Sequence, residues 1–187
     1  MLFQGRSRPV IGLDITTSSI KLIELSRSGD GYRVESYAAE PSPPNAINEK
    51  AIVDSQAVGE AVRRAVKRAG ARSKECAVAI SGDAAITKVI QMPRNLREAE
   101  LESQVEMQAD QYIPFPMEEV SFDFEVIGPS EKDPEMLDVL LVATRSENVE
   151  QRQAAVQSAG LATRIVDVEA FALENACRLL THQMPDG

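Results

Sequence analysis

The stretch that most constrains the fold of this chain is VIGLDITTSSIKLIEL, at residues 10–25. Two apolar runs flank the polar segment TTSS at residues 16–19, and this pattern predicts two antiparallel strands joined by a tight turn. Asp14 lies near the end of the first strand, and Lys21 lies near the start of the second. The fold is therefore expected to begin with a hairpin that carries a carboxylate and an ammonium group close to its turn.

The polar turn of this hairpin has the groups that a phosphate site needs. Hydroxyl and backbone N–H donors of the turn can bind an anion, a carboxylate can hold a hydrated Mg²⁺, and a lysine can neutralise a phosphate oxygen. The sequence contains neither a P-loop motif nor a GxGxxG fingerprint. An ordinary hairpin with a solvated turn explains the same residues equally well, so the hairpin alone leaves both interpretations open.

Charge and cysteine content restrict the class of protein. The 187 residues include 29 acidic and 20 basic side chains, for a net charge of −9, which argues against a nucleic-acid partner. No apolar run approaches the ~18–20 residues of a transmembrane segment, and residues 1–10 lack the apolar core of a signal peptide. Cys76 and Cys177 are far apart, and we expect both to be buried thiols in a reducing compartment. The sequence therefore predicts a soluble, cytoplasmic protein.

A mixed α/β unit is predicted from the hairpin onward. A third strand near residues 32–39 completes an antiparallel meander. Apolar spacing predicts a helix at residues 54–69 that is capped by Asp54 and ended by Gly70. Residues 76–80, CAVAI, show no alternation and predict a strand that is covered on both faces.

The pattern of residues 84–160 predicts a second α/β subdomain with an antiparallel sheet. This subdomain includes a helix that begins at Ser146 and ends at Gly160. A capping-box pattern, Asn95 with Glu98, starts a long acidic helix whose carboxylates indicate a solvated face rather than a metal site. A strand at residues 162–168 and an amphipathic helix at residues 169–180 follow.

A second group of candidate residues lies where the last predicted strand passes into the last helix. Asp167 and Glu169 are well placed there to orient water or a metal. A structural interpretation also fits, in which Asp167 is the helix N-cap and Glu169 interacts with the helix dipole. A nucleophilic triad is improbable, because the single histidine, His182, lies in the C-terminal tail and no serine is surrounded by GxSxG. The distant cysteines exclude a zinc site on the same grounds.

Several phrases resemble a known family. The pattern hydrophobic-Gly-x-Asp followed by Lys21, in an N-terminal meander of three strands, is similar to the first phosphate loop of the actin-like ATPase superfamily. DQYIPFPMEEVSFDFEV, LLVATRSENVEQRQAAVQSAGL and RIVDVEAFALENA, which start at residues 110, 140 and 164, resemble the PilM family of type IV pilus assembly proteins. The related cytoplasmic halves of type II secretion L proteins are more distant.

The resemblance implies an α/β, actin-like (RNase H-like) fold with an inserted FtsA-type subdomain. Residues 10–83 would form subdomain 1A, residues 84–160 would form the inserted subdomain 1C, and residues 161–181 would return to 1A and start the interdomain connection. Family members are considerably longer, and their second half supplies the other phosphate loop and the adenosine pocket. We therefore expect the second lobe to be missing or truncated in this chain.

The resemblance also implies ATP and Mg²⁺ as cofactors of the family, and by position it assigns five residues to the phosphates: Asp14, Thr16, Thr17, Ser18 and Lys21. Asp14 would act on the metal ion through water. Glu169 falls where bacterial actins place the glutamate that orients the attacking water, although Ala170 stands where proline usually follows.

Two classes of function follow from the resemblance. The first is a cytoplasmic scaffold of the type IV pilus inner-membrane platform, recruited to the inner face of the bacterial inner membrane. It would bind the N-terminal cytoplasmic tail of a PilN-like membrane protein and would connect indirectly to the motor ATPases. The second is an active ATPase or kinase of the actin and sugar-kinase superfamily that uses Asp14, Lys21 and Glu169.

The inserted subdomain and its YIPFP phrase favour the scaffold, because sugar kinases lack that insertion at this point of the chain. Half of a cleft would leave most of a nucleotide in water, since affinity comes from burial and preorganised contacts. We therefore expect this chain to bind ATP weakly or not at all, and not to turn it over.

Overall fold

Strands and helices alternate along the chain in the order that the α/β prediction requires. The structure is a computed structural model that describes residues 9–29, 31–49 and 51–181. Its strands and α-helices are β1 (Ile11–Ile15), β2 (Ser19–Ser28), β3 (Gly31–Pro41), β4 (Ile47–Asn48), β5 (Ala51–Ile52), α1 (Ser55–Ala69), β6 (Glu75–Ile80), β7 (Ala85–Pro93), α2 (Glu98–Ala109), β8 (Val120–Pro129), β9 (Met136–Arg145), α3 (Ser146–Ser158), β10 (Ala162–Val168) and α4 (Glu169–Thr181).

The chain divides into two compact units. The first contains the described residues up to Ser81 and from Glu150 onward, and the second contains Gly82–Val149. The first unit is built on a five-stranded mixed sheet with the strand order β10-β6-β1-β2-β3. In this sheet β10, β6 and β1 are parallel, whereas β2 is antiparallel to both of its neighbours. The N-terminal hairpin and the third strand of the meander are thereby confirmed.

One face of this sheet carries the core of the first unit, where β-strand residues pack against α1 and α3. The fully buried side chains of this core include Ile11, Ile20, Leu22, Val58, Val62, Cys76, Ala155 and Val156. The predicted ends of α1 are confirmed. Asp54 Oδ1 accepts a hydrogen bond of 2.9 Å from the Ala57 backbone N–H, and Gly70 ends the helix with a φ of 65°.

Two buried carboxylates hold α1 and the loop before β6 against the sheet. Glu40 on β3 lies 2.9 Å from Arg68 Nε of α1, and it is 6% exposed. Glu24 on β2 is 4% exposed and accepts hydrogen bonds from the backbone N–H groups of Ser73 at 2.9 Å and Arg72 at 3.3 Å. Because a buried carboxylate needs donors, these contacts fix the position of α1 and of the loop that leads into β6.

The second unit is a three-stranded antiparallel sheet with the order β7-β9-β8. Leu101, Val105 and Ala109 of α2 are buried in its core. The predicted capping box is wrong by two residues, because the Glu100 carboxylate accepts a hydrogen bond of 3.1 Å from the Arg97 backbone N–H. Residues 94–95 form a turn after Pro93, so the chain becomes helical later than the sequence pattern indicates.

The division between the two compact units falls within α3, with Glu150 onward in the first unit. The sequence prediction assigned the whole helix to an inserted subdomain at residues 84–160, and that assignment of subdomains stays a prediction. Ala155 and Val156 have no exposed surface and belong to the core of the first unit. The helix packs there because its small apolar face fits closely against α1.

The two cysteines differ in burial. Cys76 lies on β6 and is buried, but Cys177 on α4 is exposed, so the prediction of two buried thiols is wrong for Cys177. The described side chains of α4 have no buried member, and Leu173 and Leu179 are 66% and 52% exposed. On β6, buried residues alternate with the partly buried Ala77 and Ala79. One face of the strand is therefore fully covered and the other only in part, where the sequence predicted cover on both faces. Within the described residues, no helix is both long and apolar enough to span a bilayer.

The close packing of α1 against α3 can be tested by substitution of Gly59 on α1. A Cβ atom at this position would lie 1.6 Å from Ser158 Oγ and 2.5 Å from the Ala155 carbonyl oxygen. Alanine favours a helix by about 1 kcal/mol over glycine, but the clash with backbone must outweigh this gain. We expect Gly59→Ala to lower the free energy of unfolding by about 1–3 kcal/mol in urea denaturation.

The matched control for this variant is Glu60→Ala, at the next position of the same helix, which is exposed and should change stability little. An unchanged or raised stability of Gly59→Ala would contradict the packing of α1 on α3.

The thiols provide a second test. Burial raises the pKa of Cys76 to about 11. Because the thiolate is the reactive form, a thiol reagent at neutral pH should modify Cys177 in the native protein and spare Cys76. In urea both should react, and mass spectrometry of the digested protein measures the labelling of each. Equal labelling of the two thiols in the native state would be incompatible with this structure.

Candidate functional site

The hairpin brings the two predicted phosphate-site charges into contact. Asp14 and Lys21 are directly opposite each other in the β1–β2 pair. Lys21 Nζ donates to Asp14 Oδ2 at 2.9 Å, and the two side chains are 48% and 47% exposed, respectively. The hydrogen bond from Asp14, and then its charge, raise the pKa of Lys21 above its ordinary value. The Asp14 carboxylate, which was predicted to face a metal ion, is therefore already paired with the ammonium group of Lys21.

The turn that follows β1 is fixed by its own hydrogen bonds. Thr16 Oγ1 donates to the Ser19 carbonyl oxygen at 2.8 Å and accepts from the Ser19 backbone N–H at 3.2 Å. Ser42 holds the same turn from outside, because its hydroxyl donates to the Thr16 carbonyl oxygen at 2.6 Å and its N–H donates to the Ser18 carbonyl oxygen at 3.2 Å. The Thr16 hydroxyl is thus engaged in closing the turn.

Thr17 and Ser18 are the turn residues that face solvent. Both are exposed, and within the described part of the chain no hydrogen bond involves the Thr17 side chain. Ser18 Oγ lies 3.4 Å from Thr16 Oγ1, at the long end of hydrogen-bonding distances. Of the three hydroxyl residues that the sequence proposes as anion donors, these two remain available.

The pairing of the parallel strands places the second candidate group at the same edge of the sheet. Leu13 is paired with Val78, and Asp167 is paired with Ala79. One further step along β1 puts Asp14 in the row of Ala79 and Asp167, two strand spacings or about 10 Å from Asp167. Because side chains alternate along strands, all three point to the face opposite the Leu13 core side. The structure therefore brings the two candidate groups to one edge and one face.

Asp167 and Glu169 occupy different environments at this edge. Asp167 Oδ1 accepts a hydrogen bond of 2.7 Å from the Val168 backbone N–H, and no N-cap bond to the first turn of α4 is present within the described residues. Helix α4 begins at Glu169, where the N-terminal end of the helix dipole favours a negative charge. The helix dipole interpretation of Glu169 fits this position, whereas the N-cap interpretation of Asp167 does not.

Arg152 is a functional candidate that the sequence interpretation missed. It lies on α3, is 2% exposed, and donates from Nε to the Ala79 carbonyl oxygen at 2.8 Å. Burial lowers the pKa of its guanidinium, and the nearby charge of Glu169 opposes this. Arg152 precedes Ala155 and Val156 by three and four residues, which places it on the apolar face of the helix. A charge on that face is the signal that could have identified it.

Ser81 is a second missed residue. It follows β6 at the same end of the sheet and is 1% exposed. Its hydroxyl oxygen is buried without a hydrogen-bond partner among the described residues. A buried hydroxyl with no partner is uncommon in folded proteins, which sets Ser81 apart from the other buried polar residues of this unit.

The arrangement of acidic, histidine and cysteine side chains limits which metal ions the site could bind. In the part of the chain that the structure describes, no group of three His, Cys, Asp or Glu side chains could bind a metal ion directly. A hydrated ion held by Asp14 through water remains the arrangement that fits the predicted role. His182 lies outside the described residues.

The Asp14–Lys21 pair gives a prediction about stability. Both side chains are about half exposed, so water screens their attraction. Asp14→Asn and Lys21→Met should each change the free energy of unfolding by less than about 1 kcal/mol, as measured by urea denaturation. A much larger loss in either variant would show that the pair has a structural role, and the two variants would then be unsuitable as probes of binding.

The chain is similar to proteins of pilus assembly and secretion systems. Residues 12–187 match the family described as Type IV pilus assembly protein PilM. A solved chain of the "PilM-PilN type IV pilus biogenesis complex" is 31% identical with a TM-score of 0.78, over 89% of this chain and 49% of that chain. The cytoplasmic domain of EpsL, an inner membrane component of the type II secretion system of Vibrio cholerae, is 13% identical with a TM-score of 0.55, over 86% and 57% of the two chains.

These similarities establish the fold class and the family of the chain. The mixed α/β sheet and its similarity to the solved PilM chain confirm the fold class that the sequence predicts. The chain spans about half the length of the PilM chain that it matches. Because the family match extends over nearly all of the sequence, the chain belongs to the family of PilM type IV pilus assembly proteins.

Proposed function

We propose that this chain acts as a scaffold in type IV pilus assembly and binds the N-terminal cytoplasmic tail of a PilN-like membrane protein. The observation that carries the proposal is the similarity over 89% of this chain to a solved chain of a PilM–PilN complex. A partner anchored in the inner membrane would hold the scaffold at the inner face of that membrane. The scaffold would thereby connect the membrane platform to the assembly motors.

The charge of the chain supports recruitment by a protein rather than by lipid. Anionic lipid headgroups attract clusters of lysine and arginine, whereas this chain has a net charge of −9. A peptide tail can instead bind by apolar contacts and by backbone hydrogen bonds.

The strand edges of the described sheets provide positions for such a peptide. In the first unit β3 is an edge strand, and three of its large side chains share one face because they pair with alternate residues of β2. These are Tyr32, Val34 and Tyr37, which are 55%, 56% and 59% exposed, respectively. An extended apolar segment can add to a strand edge while its side chains cover such a face. The second unit has the edge strands β7 and β8.

The edge that carries Asp14 and Lys21 is, in this proposal, half of a nucleotide site. Its support is the exposed donors of Thr17 and Ser18, together with the placement of Glu169 at the same edge of the sheet. This half can contact a phosphate from one side, so we expect weak ATP binding that depends on Mg²⁺.

Peptide binding and nucleotide turnover can be measured side by side. We expect a labelled synthetic tail of the PilN-like partner to bind the chain saturably in fluorescence anisotropy, and a peptide of scrambled sequence not to bind. In a phosphate-release assay with Mg·ATP we expect no turnover above buffer, because one face of a cleft leaves the reacting phosphate in water.

Two results would overturn parts of this proposal. Binding of the native tail no tighter than that of the scrambled peptide would contradict the scaffold. Phosphate release that is lost in Asp14→Ala would contradict the expectation of a chain without turnover and would favour the ATPase or kinase. If the peptide site and the nucleotide site are independent, Asp14→Ala leaves peptide binding unchanged. The same variant is therefore the probe in the phosphate-release assay and the control in the peptide-binding assay.

A further inference from the structure

The turn between β1 and β2 is bound by a residue from outside the hairpin. Ser42 is the first residue after β3, and it is partly buried. Because Pro41 is paired with Ser19, Ser42 lies beside Ser18. Its hydroxyl donates to the Thr16 carbonyl oxygen at 2.6 Å, and its backbone N–H donates to the Ser18 carbonyl oxygen at 3.2 Å. One residue therefore holds the turn at two points.

The backbone of Ser42 is itself restricted, because it stands between Pro41 and Pro43. A proline ring fixes its own φ, and a proline also disfavours the helical conformation for the residue that precedes it. Ser42 therefore has little conformational freedom to lose when it binds the turn. A restricted residue of this kind can hold the turn in one conformation.

The two hydrogen bonds decide which backbone groups of the turn are left for a ligand. Ser42 occupies the carbonyl oxygens of Thr16 and Ser18. The Ser19 carbonyl oxygen accepts from the Thr16 backbone N–H at 3.0 Å. Within the residues that the structure describes, no protein group accepts a hydrogen bond from the backbone N–H of Thr17 or of Ser18. Since adjacent N–H groups attract an anion and carbonyl oxygens repel one, the turn offers two donors while these three acceptors are occupied.

We propose that Ser42 is a positioning residue for a phosphate group at this turn. By holding the carbonyl oxygens of Thr16 and Ser18, it keeps the N–H groups of Thr17 and Ser18 together as the donors that the phosphate binds. Ser42 acts through the turn and makes no contact with the phosphate. The inference rests on the proposed nucleotide half-site and deepens it, because it adds a residue from the end of β3 that neither the sequence pattern nor the family resemblance selected.

Four proteins test this role: the wild type, Ser42→Ala, Ser42→Thr and Ser28→Ala. The alanine variant removes the hydroxyl, and the threonine variant keeps it on a side chain that suits extended backbone. Ser28 is an exposed serine at the end of β2 that is remote from the turn, so its alanine variant is the matched control. NMR titration of each isotope-labelled protein with Mg·ATP gives the dissociation constant and the amide shifts of Thr17 and Ser18. Amide exchange of the turn is measured on the same proteins without ligand.

We expect Ser42→Ala to weaken Mg·ATP binding by about three- to tenfold, which corresponds to the loss of one hydrogen bond. Amide exchange at Thr16 and Ser19 should be faster in this variant, because the turn is held less tightly. Ser42→Thr should restore both the affinity and the exchange rates to near the wild-type values, and Ser28→Ala should change neither.

The outcomes separate this inference from the half-site on which it rests. If the wild type shows no amide shift with Mg·ATP, the half-site is wrong and the role of Ser42 is wrong with it. If the wild type and Ser42→Ala bind Mg·ATP equally, the half-site stands and Ser42 has no positioning role. Weaker binding by Ser42→Ala with unchanged exchange of the turn would mean that the hydroxyl contacts the ligand itself, which also overturns the proposal.

Discussion

The parallel pairing of β1, β6 and β10 is the constraint on which the rest of the first unit depends. In-register pairing sends the C-terminal ends of all three strands to one edge and alternates their side chains between two faces. Leu13 and Val78 face the core with α1 and α3. Asp14 and Asp167, one step further along their strands, face the opposite side. A slip of one residue in any of the three strands would exchange these sets, so the hydrophobic core fixes the position of the charged edge.

Two charged groups at this end of the sheet differ in energetic weight. Asp14 has Lys21 at 2.9 Å, and both side chains are about half exposed, so water screens their attraction. Arg152 is 2% exposed, and its Nε donates to the Ala79 carbonyl oxygen at 2.8 Å. Because removing a guanidinium from water is costly, this hydrogen bond matters more to the fold than the exposed pair does.

Much of the fold can be predicted from the sequence where the signal is local. The hairpin at residues 10–25 follows from apolar alternation and a polar turn, and the ends of α1 follow from Asp54 and Gly70. Both signals act within a few residues, so tertiary structure does not override them. The start of α2 was predicted wrongly because residues 94–95 form a turn after Pro93, and the carboxylate that accepts from the backbone at the helix start belongs to Glu100 rather than Glu98.

The features that the sequence interpretation missed depend on contacts between distant segments. The packing of α3 on α1 requires Gly59 against Ser158 and Ala155, which are nearly one hundred residues away in the chain. The exposure of Cys177 depends on what covers α4, and composition does not report that. For the site, the sequence and the family resemblance proposed Asp14, Lys21 and Glu169, and these assignments stay predictions. They did not propose Arg152, whose hydrogen bond to the Ala79 carbonyl oxygen joins α3 to β6 across more than seventy residues.

Binding of the tail of a PilN-like partner by this chain can be measured by hydrogen–deuterium exchange. A tail that adds to a strand edge or covers an apolar surface protects backbone amides from exchange. We expect slower exchange in a contiguous segment of the chain in the presence of the native tail, with no such change for a scrambled tail. Identical exchange along the whole chain with and without a saturating excess of the native tail would contradict it.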